Sequence, residues 1–332
     1  MKKKNLIIQL CFYLIFVSCS NQNQNDISSK EKLNSLKILN WNLQTFFDAN
    51  TDGTEYYEFK SSSSAWNSQK YNNRLKNLHQ VIKETDCDII VMQELEKKEQ
   101  LYDIYNQLCS NFNFSKNYSY GTFAKEKGSS IGIALLSRVP LEKVSVHSLD
   151  IKTHSQKQPS LRPIVCVTLT INERPLQILI NHWKSKSGGA EISNFWRDEQ
   201  EKLLSKLIKN AQKSNIAVLA CGDFNRNLSE FNILLKNDKS HFNVELQGKD
   251  CVKVFSPWFL ENNQIMEKGS YFYKDSWEKI DHFFAANGTF ITDFKIENNG
   301  EWSTEDGKPF RYNIKQGTGY SDHFPISCTI LW

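Results

Sequence analysis

The sequence lacks several features that would assign the chain to a class at once. Its eight cysteines form no Cys-x-x-Cys pair, which excludes the usual spacing of a zinc site. Cys166, Cys221 and Cys328 lie inside apolar, strand-like runs and are expected to be small core side chains. The 14 glycines and 7 prolines form no linker, and no segment repeats at a fixed period, so one large domain is favoured.

Neither a strong net charge nor a second long apolar run is present. The chain has 41 basic and 37 acidic residues, and loss of Lys2, Lys3 and Lys4 with a leader lowers the net charge from +4 to +1. Net charge therefore gives no support for a nucleic-acid partner, and any basic footprint must be local. After the N-terminal run, no segment approaches the ~20 apolar residues that a membrane-spanning helix needs.

The N-terminus combines three lysines with an apolar run from Leu6 to Val17, which is typical of a secretory signal peptide. Ser18-Cys19 follows directly and resembles a bacterial lipobox. We therefore expect a signal peptide over residues 1–18 and a lipidated Cys19, which would anchor an exported protein to the membrane of the cell envelope. Ordinary cleavage and secretion is the alternative. Polar residues 19–35 predict a flexible tether, and residues 36–332 the folded domain.

Short apolar runs at 88–92 and 216–220 are typical of buried strands. Further strands are expected at 37–42, 131–136, 164–171, 176–181, 279–286 and 324–331. Helical spacing predicts helices near 75–82, at 97–109, and after Ser193, which is the expected cap. The runs at 164–171 and 176–181 are expected to pair as a hairpin. This mixture, without strict alternation, predicts one α/β domain with two packed sheets.

Polar residues recur where these strand-like runs stop. The six segments are Asn40-Trp41-Asn42, Gln93-Glu94, Asn181-His182, Gly222-Asp223-Phe224-Asn225, Lys279-Ile280-Asp281-His282 and Ser321-Asp322-His323. They offer carboxylate, amide and imidazole groups and no thiolate, which suits Mg²⁺, with Mn²⁺ or Ca²⁺ as alternatives. Each segment is weak alone, and the indication lies in all six occurring on one chain.

This set, in this order, resembles the endonuclease/exonuclease/phosphatase family. The Gly222–Asn225 and Ser321–His323 segments are its most specific marks, and the resemblance covers roughly residues 36–332. It implies a four-layer α/β sandwich, in which two mixed β-sheets pack face to face with helices on the outside. It also implies an active site where the strand ends of both sheets meet.

The resemblance also implies a role for each matching residue. Glu94 and Asn42 would lie at the metal, assisted by Asp322, while Asp223 and Asn225 would hold the attacking water or the phosphate. Asp281 would orient His323, the general base; His182 would lie opposite, and Arg162 near the phosphate. Gln44 stands where some members carry an acidic residue, so a second acidic ligand is not expected there.

Three functions fit this sequence. The first is a nuclease acting on DNA, or else RNA, because the segment from His182 to Gly189 resembles extracellular nucleases of the family. There Lys184 and Lys186 would anchor phosphates, and Trp183 could stack on a base. The second is a phosphoesterase of lipids or sugar phosphates, such as a sphingomyelinase. The third is a non-catalytic surface-binding lipoprotein. We expect a monomer.

Overall fold

The computed structural model describes residues 33–60, 62–109, 117–151, 157–234 and 241–332. The predicted signal peptide, and the tether as far as residue 32, lie outside these residues. Residues 33–332 form one compact unit, which begins slightly before the predicted start at 36. Asn34 belongs to this unit, because its buried side chain donates a hydrogen bond to the carbonyl oxygen of Ile171 at 2.7 Å. None of the helices in the described ranges combines the length and apolar character needed to cross a membrane.

Sixteen strands and four α-helices build the described part of the chain. The strands are β1 (Ser35–Phe46), β2 (Ile89–Leu95), β3 (Tyr120–Ala124), β4 (Gly132–Ser137), β5 (Lys143–His147), β6 (Ile164–Ile171), β7 (Arg174–His182), β8 (Ala217–Asp223), β9 (Asn232–Ile233), β10 (Val244–Leu246), β11 (Val252–Val254), β12 (Tyr271–Tyr273), β13 (Ser276–Glu278), β14 (Asp281–Ala286), β15 (Phe290–Ile296) and β16 (Ile326–Leu331). The helices are α1 (Tyr57–Lys60), α2 (Ser68–Thr85), α3 (Glu99–Cys109) and α4 (Ala190–Lys213).

Two large mixed sheets form the centre of the fold. The first has the strand order β15-β16-β1-β2-β4-β3, in which only β1 and β2 are parallel. The second has the order β14-β8-β7-β6-β5, in which only β7 and β8 are parallel. A small sheet of β9, β10 and β11 and the hairpin of β12 and β13 complete the described architecture.

Alternation of side chains along the strands builds two apolar layers. On the first sheet, Ile38 and Leu135 belong to the cluster shared with the second sheet, whereas Leu39 and Leu136 pack with helices α2 and α3. On the far side of the second sheet, helix α4 contributes Leu204 to the core. The layers are therefore helices, sheet, sheet and helix, and the predicted four-layer α/β sandwich is confirmed.

Two local predictions differ from the structure in detail. The hairpin of β6 and β7 is present, but its turn consists of Asn172 and Glu173 alone, with φ of 49° and 64°. Positive φ at both central residues matches the twist of the flanking strands. Ser193 does not cap α4, since that helix begins at Ala190. The Ser193 hydroxyl instead donates a hydrogen bond to the carbonyl oxygen of Gly189 at 2.8 Å.

The three cysteines that the sequence predicts as core residues, Cys166, Cys221 and Cys328, are buried. The thiols of Cys87, Cys166, Cys221 and Cys328 are buried and free, and that of Cys251 is free and exposed. Burial raises the pKa of Cys87 to about 12 and also raises the pKa values of the other three buried thiols. No disulfide joins any of these five residues.

A buried polar cluster lies beside the second sheet. Arg226 forms ion pairs with Asp198 and Glu201 on helix α4. The Arg226 carbonyl oxygen accepts a hydrogen bond from Nε2 of His282, at 2.9 Å. The His282 ring stacks on Phe284, with 5.0 Å between centroids. Burial lowers the pKa of His282 to about 4, so the ring is neutral at pH 7.

The depressed pKa of His282 predicts a pH-dependent stability. In the unfolded chain the ring titrates near its ordinary value of about 6.5, so the unfolded state binds more protons between pH 6.5 and 4. The stabilisation that the neutral His282 ring gives the folded state is complete above pH 6.5. It is lost as the pH falls toward 4, at about 1.4 kcal/mol per pH unit. As the pH is lowered from 7 to 4, we expect the free energy of unfolding of His282→Gln to rise by about 3 kcal/mol relative to that of the wild type. Urea denaturation at several pH values measures this difference, and a constant difference would contradict it.

Candidate active site

The register of the second sheet brings three predicted site residues together. Asp223 at the end of β8 lies opposite His182 on β7 and opposite Asp281 on β14, and opposing side chains point to the same face. Gly222 allows this close approach. Its φ is 139°, and a Cβ there would lie 1.9 Å from the carbonyl oxygen of Asn181.

These strand ends border an open cleft of about 750 Å³. The predicted residues that line it are Asn42, Glu94, Arg162, His182, Asp223, Asn225, Asp322 and His323. Residues from both large sheets therefore meet at one place, as the resemblance implies.

Backbone bulges aim the side chains of the first sheet into this cleft. The pairing of β1 with β2 shifts register after Asn42, and that of β2 with β4 shifts after Gln93. Glu94 has a φ of 73°, in the left-handed region that costs a residue with a side chain about 1 kcal/mol or more. The buried guanidinium of Arg74 supports the β1 bulge by donating to the carbonyl oxygens of Leu43, Gln44 and Thr45. A bulge is a common device for redirecting a side chain beside a site.

The Glu94 carboxylate is held by neutral donors. Its oxygens accept hydrogen bonds from the Thr45 amide at 2.5 Å and from the Asn42 side chain at 3.2 Å. Among the described residues, the only basic group within 4 Å of it is His182, at 3.6 Å. Burial, together with Arg162 and His323, lowers the pKa of His182 well below its ordinary value, so this ring is uncharged at pH 7. A carboxylate with no cationic side chain beside it fits a divalent metal ion.

Asn42 forms hydrogen bonds with carboxylates of both sheets. Its Nδ2 also donates to Asp223 Oδ2 at 2.9 Å, and its Oδ1 accepts from the Gln44 amide at 2.9 Å. These contacts give Asn42 a positioning role between the two sheets, beside its expected place at the metal. Gln44 is likewise structural, because its side chain exchanges two hydrogen bonds with the backbone of Tyr312.

Asp223 and Asn225 form a second polar group in the cleft. Asp223 accepts hydrogen bonds from the backbone and side-chain amides of Asn225, at 2.8 and 3.1 Å. Burial raises the pKa of Asp223 to about 7, with Asp281 adding to the effect. His323 opposes this rise, because its positive charge favours the ionised form of Asp223.

His323 and Asp281 form a buried pair. The imidazole donates from Nδ1 to Asp281 Oδ2 at 2.8 Å, and the same oxygen accepts from the Ser270 hydroxyl at 2.6 Å. Burial opposes the charged form of His323, but the carboxylates of Asp281, Asp223 and Asp322 outweigh it and raise the pKa to about 10. The rise follows from the number of carboxylates that surround the imidazole.

Asp322 and Arg162 lie at the open side of the cleft. Asp322 has a partly exposed side chain, 3.7 Å from the guanidinium of Arg311. Arg162 donates to the carbonyl oxygen of Trp183 at 3.4 Å. Across the part of the chain that the structure describes, no carboxylate lies within 4 Å of Arg162, so its charge is available to an anionic ligand.

Two predicted substrate-binding residues do not reach the cleft. Trp183 is completely buried, donates to the Asn181 side chain, and packs on Phe224, so it cannot stack on a base. The Lys184 ammonium group donates to the carbonyl oxygens of Ser185 and Ser187, both at 3.1 Å, and holds its own loop. Both assignments are therefore corrected. Alternation after β7 turns Trp183 into the core, which a linear motif does not reveal.

Other lining residues were not selected from the sequence. They include Tyr56, Tyr271, Tyr273 and Arg311. Lys186, which the sequence predicted as a phosphate anchor, also lines the cleft and pairs with Glu230 and Glu278 at 3.1 and 3.3 Å. Tyr271 and Tyr273 lie two residues apart, and on a short strand this spacing places both side chains on one face. This spacing is the sequence signal from which they could have been found. Tyr56 and Arg311 come from irregular segments, which carry no periodic signal.

A separate acidic cluster lies outside the cleft. The carboxylates of Asp52, Glu55 and Glu96 approach within 4.8 Å of one another. The ammonium group of Lys97 lies 3.0 Å from Asp48 and 3.4 Å from Asp52, and supplies positive charge there. Burial raises the pKa of Glu96 to about 7, and its carboxylate accepts from the Asp48 amide. These contacts fix the loop after β1.

A carboxylate-rich cleft at the meeting point of two mixed sheets, with a buried histidine–aspartate pair, is suited to hydrolysis of phosphoesters. The chain belongs to the endonuclease/exonuclease/phosphatase family, whose model matches residues 37–331. Members of this family are hydrolases that act on phosphoester bonds and depend on a divalent metal. No curated protein sequence matches the chain.

Solved structures show the same fold at low sequence identity. TDP2 from D. rerio, complexed with single strand DNA product, is 15% identical with a TM-score of 0.54. The match covers 89% of this chain and 98% of the TDP2 chain. The human Nocturnin catalytic domain, with bound sulfate anion, is 16% identical with a TM-score of 0.54, at coverages of 89% and 94%. Sphingomyelinase C from Streptomyces griseocarneus is 15% identical with a TM-score of 0.53, at 89% and 99%.

The burial of Trp183 predicts a purely structural role for its indole. Trp183→Ala should lower the free energy of unfolding by about 3–5 kcal/mol, because it leaves a large cavity. Trp183→Phe should retain most of the packing on Phe224 and leave KM for any phosphoester substrate unchanged. Thermal melts and steady-state kinetics of both variants measure these effects. A folded Trp183→Ala variant with raised KM, beside a Trp183→Phe variant with wild-type KM, would restore the stacking role.

Proposed function

We propose that this protein is a divalent-metal-dependent phosphodiesterase, and specifically an exported nuclease that cuts DNA, with RNA as a second substrate. The proposal rests on the set of side chains that meet in one cleft. It combines the His323–Asp281 pair, the Glu94 carboxylate without a cationic side chain, and the unpaired charge of Arg162. Attack on an anionic phosphodiester needs a proton acceptor, a countercharge and an anion-binding group, and these residues supply them.

The metal would be held by Glu94 and Asp322, with Asn42 fixing the orientation of Glu94. These oxygen ligands suit Mg²⁺ best, with Mn²⁺ or Ca²⁺ as alternatives. A bound divalent cation neutralises a phosphate oxygen and stabilises negative charge on the leaving group.

The chain's own residues would move the proton and bind the phosphate. Because Nδ1 of His323 is held by Asp281, Nε2 is the nitrogen that accepts the proton of the attacking water. The high pKa of His323 comes from the surrounding carboxylates, so neutralisation of their charge lowers it and frees Nε2. His182, Asn225 and Arg162 would stabilise charge on the phosphate in the transition state.

The β12–β13 hairpin favours a nuclease over the sphingomyelinase-like alternative. Lys274 and Asp275 form its turn, so the tip is charged and not apolar. Its Phe272 and Trp277 pack on each other, and Trp277 packs on Phe324 rather than facing outward. A lipid-inserting hairpin needs exposed apolar residues at its tip.

Export is part of the proposal and rests on the sequence. The signal peptide over 1–18 and lipidation of Cys19 would place the enzyme at the cell envelope, tethered to a membrane as a monomer. Secretion after ordinary cleavage remains the alternative setting.

Metal dependence is the first test of the proposal. The purified domain, incubated with duplex DNA, single strands, RNA or sphingomyelin, should cleave nucleic acid with Mg²⁺ and lose activity in excess chelator. Glu94→Gln should melt like the wild type and need at least about 10-fold more Mg²⁺ for half-maximal rate, because loss of a ligand typically weakens metal binding by that order or more. Glu99→Gln, which changes an exposed side chain on helix α3, is the matched control. Full activity in chelator would refute the metal requirement.

The buried His323–Asp281 pair predicts non-additive losses. His323→Ala should lower kcat by about 10²–10⁴, and Asp281→Ala somewhat less, because Asp281 acts only through the imidazole. The double variant should be little worse than His323→Ala alone. Thermal melts beside the kinetics separate catalysis from stability. If His323→Ala melts normally and keeps wild-type kcat, the general-base role passes to another residue, with His182 next.

A further inference from the structure

Two tyrosines on the β12–β13 hairpin continue the aromatic surface of His323 toward solvent. The Tyr271 ring lies 4.7 Å from the His323 imidazole, with an interplanar angle of 38°. Tyr273 lies parallel to Tyr271 within 20°, with 6.1 Å between centroids, and is 47% exposed. Both rings line the cleft. An aromatic row therefore runs from the proton acceptor to the rim.

The hairpin holds this row in a fixed position. Tyr271 bridges to His323 in the backbone, and the Phe324 amide donates to the carbonyl oxygen of Ser270 at 2.7 Å. Strand alternation sends Phe272 to the opposite face, where it packs on Trp277 with 5.0 Å between centroids. A platform anchored in this way binds a planar group at little entropic cost.

Charge beside the row suits an anionic chain. The Lys274 ammonium group lies 5.3 Å from the Tyr273 ring centre, and the largely exposed Arg311 side chain lies at the same cleft. Aromatic rings combined with cationic groups along a groove are the features that bind single-stranded nucleic acid without sequence preference.

We propose that Tyr271 and Tyr273 are a stacking platform for an unpaired base next to the scissile phosphate, so that single-stranded nucleic acid is the preferred substrate. This inference rests on the proposed nuclease activity and deepens it. A base in a duplex is stacked and paired, and it must be exposed before it can lie on Tyr273. The platform therefore acts on substrate binding, and the proton transfer stays with His323.

The test compares Tyr273→Ala and Tyr273→Phe with Tyr102→Ala, a control on α3 whose tyrosine is 68% exposed and outside the cleft. The substrates are a labelled single-stranded oligonucleotide, its duplex, and sphingomyelin vesicles, all with Mg²⁺. Loss of one stacked base should raise KM for the single strand about 5- to 150-fold in Tyr273→Ala. We expect kcat to change by less than about 3-fold, Tyr273→Phe to retain wild-type KM, and Tyr102→Ala to behave as wild type.

Each other outcome has a distinct meaning. Cleavage of single strands with unchanged KM in Tyr273→Ala would overturn the platform and leave the nuclease proposal intact. A wild type that cleaves the duplex in preference to the single strand would also overturn the platform and leave the nuclease proposal intact. Failure of the wild type to cut any nucleic acid would overturn both proposals. Loss of vesicle hydrolysis in Tyr273→Ala, without loss of oligonucleotide cleavage, would assign the tyrosines to lipid contact instead.

Discussion

One amide group connects the two halves of the active site. Asn42 lies in the first sheet, yet its Nδ2 donates to Asp223 at the end of the second sheet and to Glu94 on the neighbouring strand. Ser321 directly precedes Asp322 and His323 in the chain. Its hydroxyl donates to the backbone carbonyl oxygen of Asn42 at 2.6 Å. Carboxylates that would otherwise repel one another are held at fixed places by these neutral donors. The cleft depends on the two sheets keeping this register.

Much of the fold was accessible from the sequence because its signals are local. Buried strands such as β2 and β8 are continuous apolar runs, and polar residues such as Glu94 and Asp223 mark where those runs stop. Since strand ends gather at the edge of a sheet, the order of six polar segments was enough to predict one site. The edge strands β3 and β5 were missed, because their exposed and partly exposed residues give no apolar run.

The rest of the site depends on contacts that a linear pattern does not contain. Trp183 follows His182 immediately, and only the three-dimensional packing shows that one faces the cleft and the other the core. The sequence predicted that Asp281 orients His323, but it could not show that carboxylates from three separate segments together raise the pKa of His323 to about 10. The positioning role of Asn42 was missed for the same reason, because its partners lie 52 and 181 residues away in the chain.

The buried thiols bear on the proposed export of this protein. An exported protein leaves a reducing compartment for an oxidising one, and many such proteins rely on cross-links between cysteines. Here the four buried thiols have raised pKa values, and oxidants attack the thiolate form. Among the cysteines that the structure describes, none therefore contributes a cross-link to the sandwich. Cys251 is the only cysteine with a described side chain at which oxidation could join two copies.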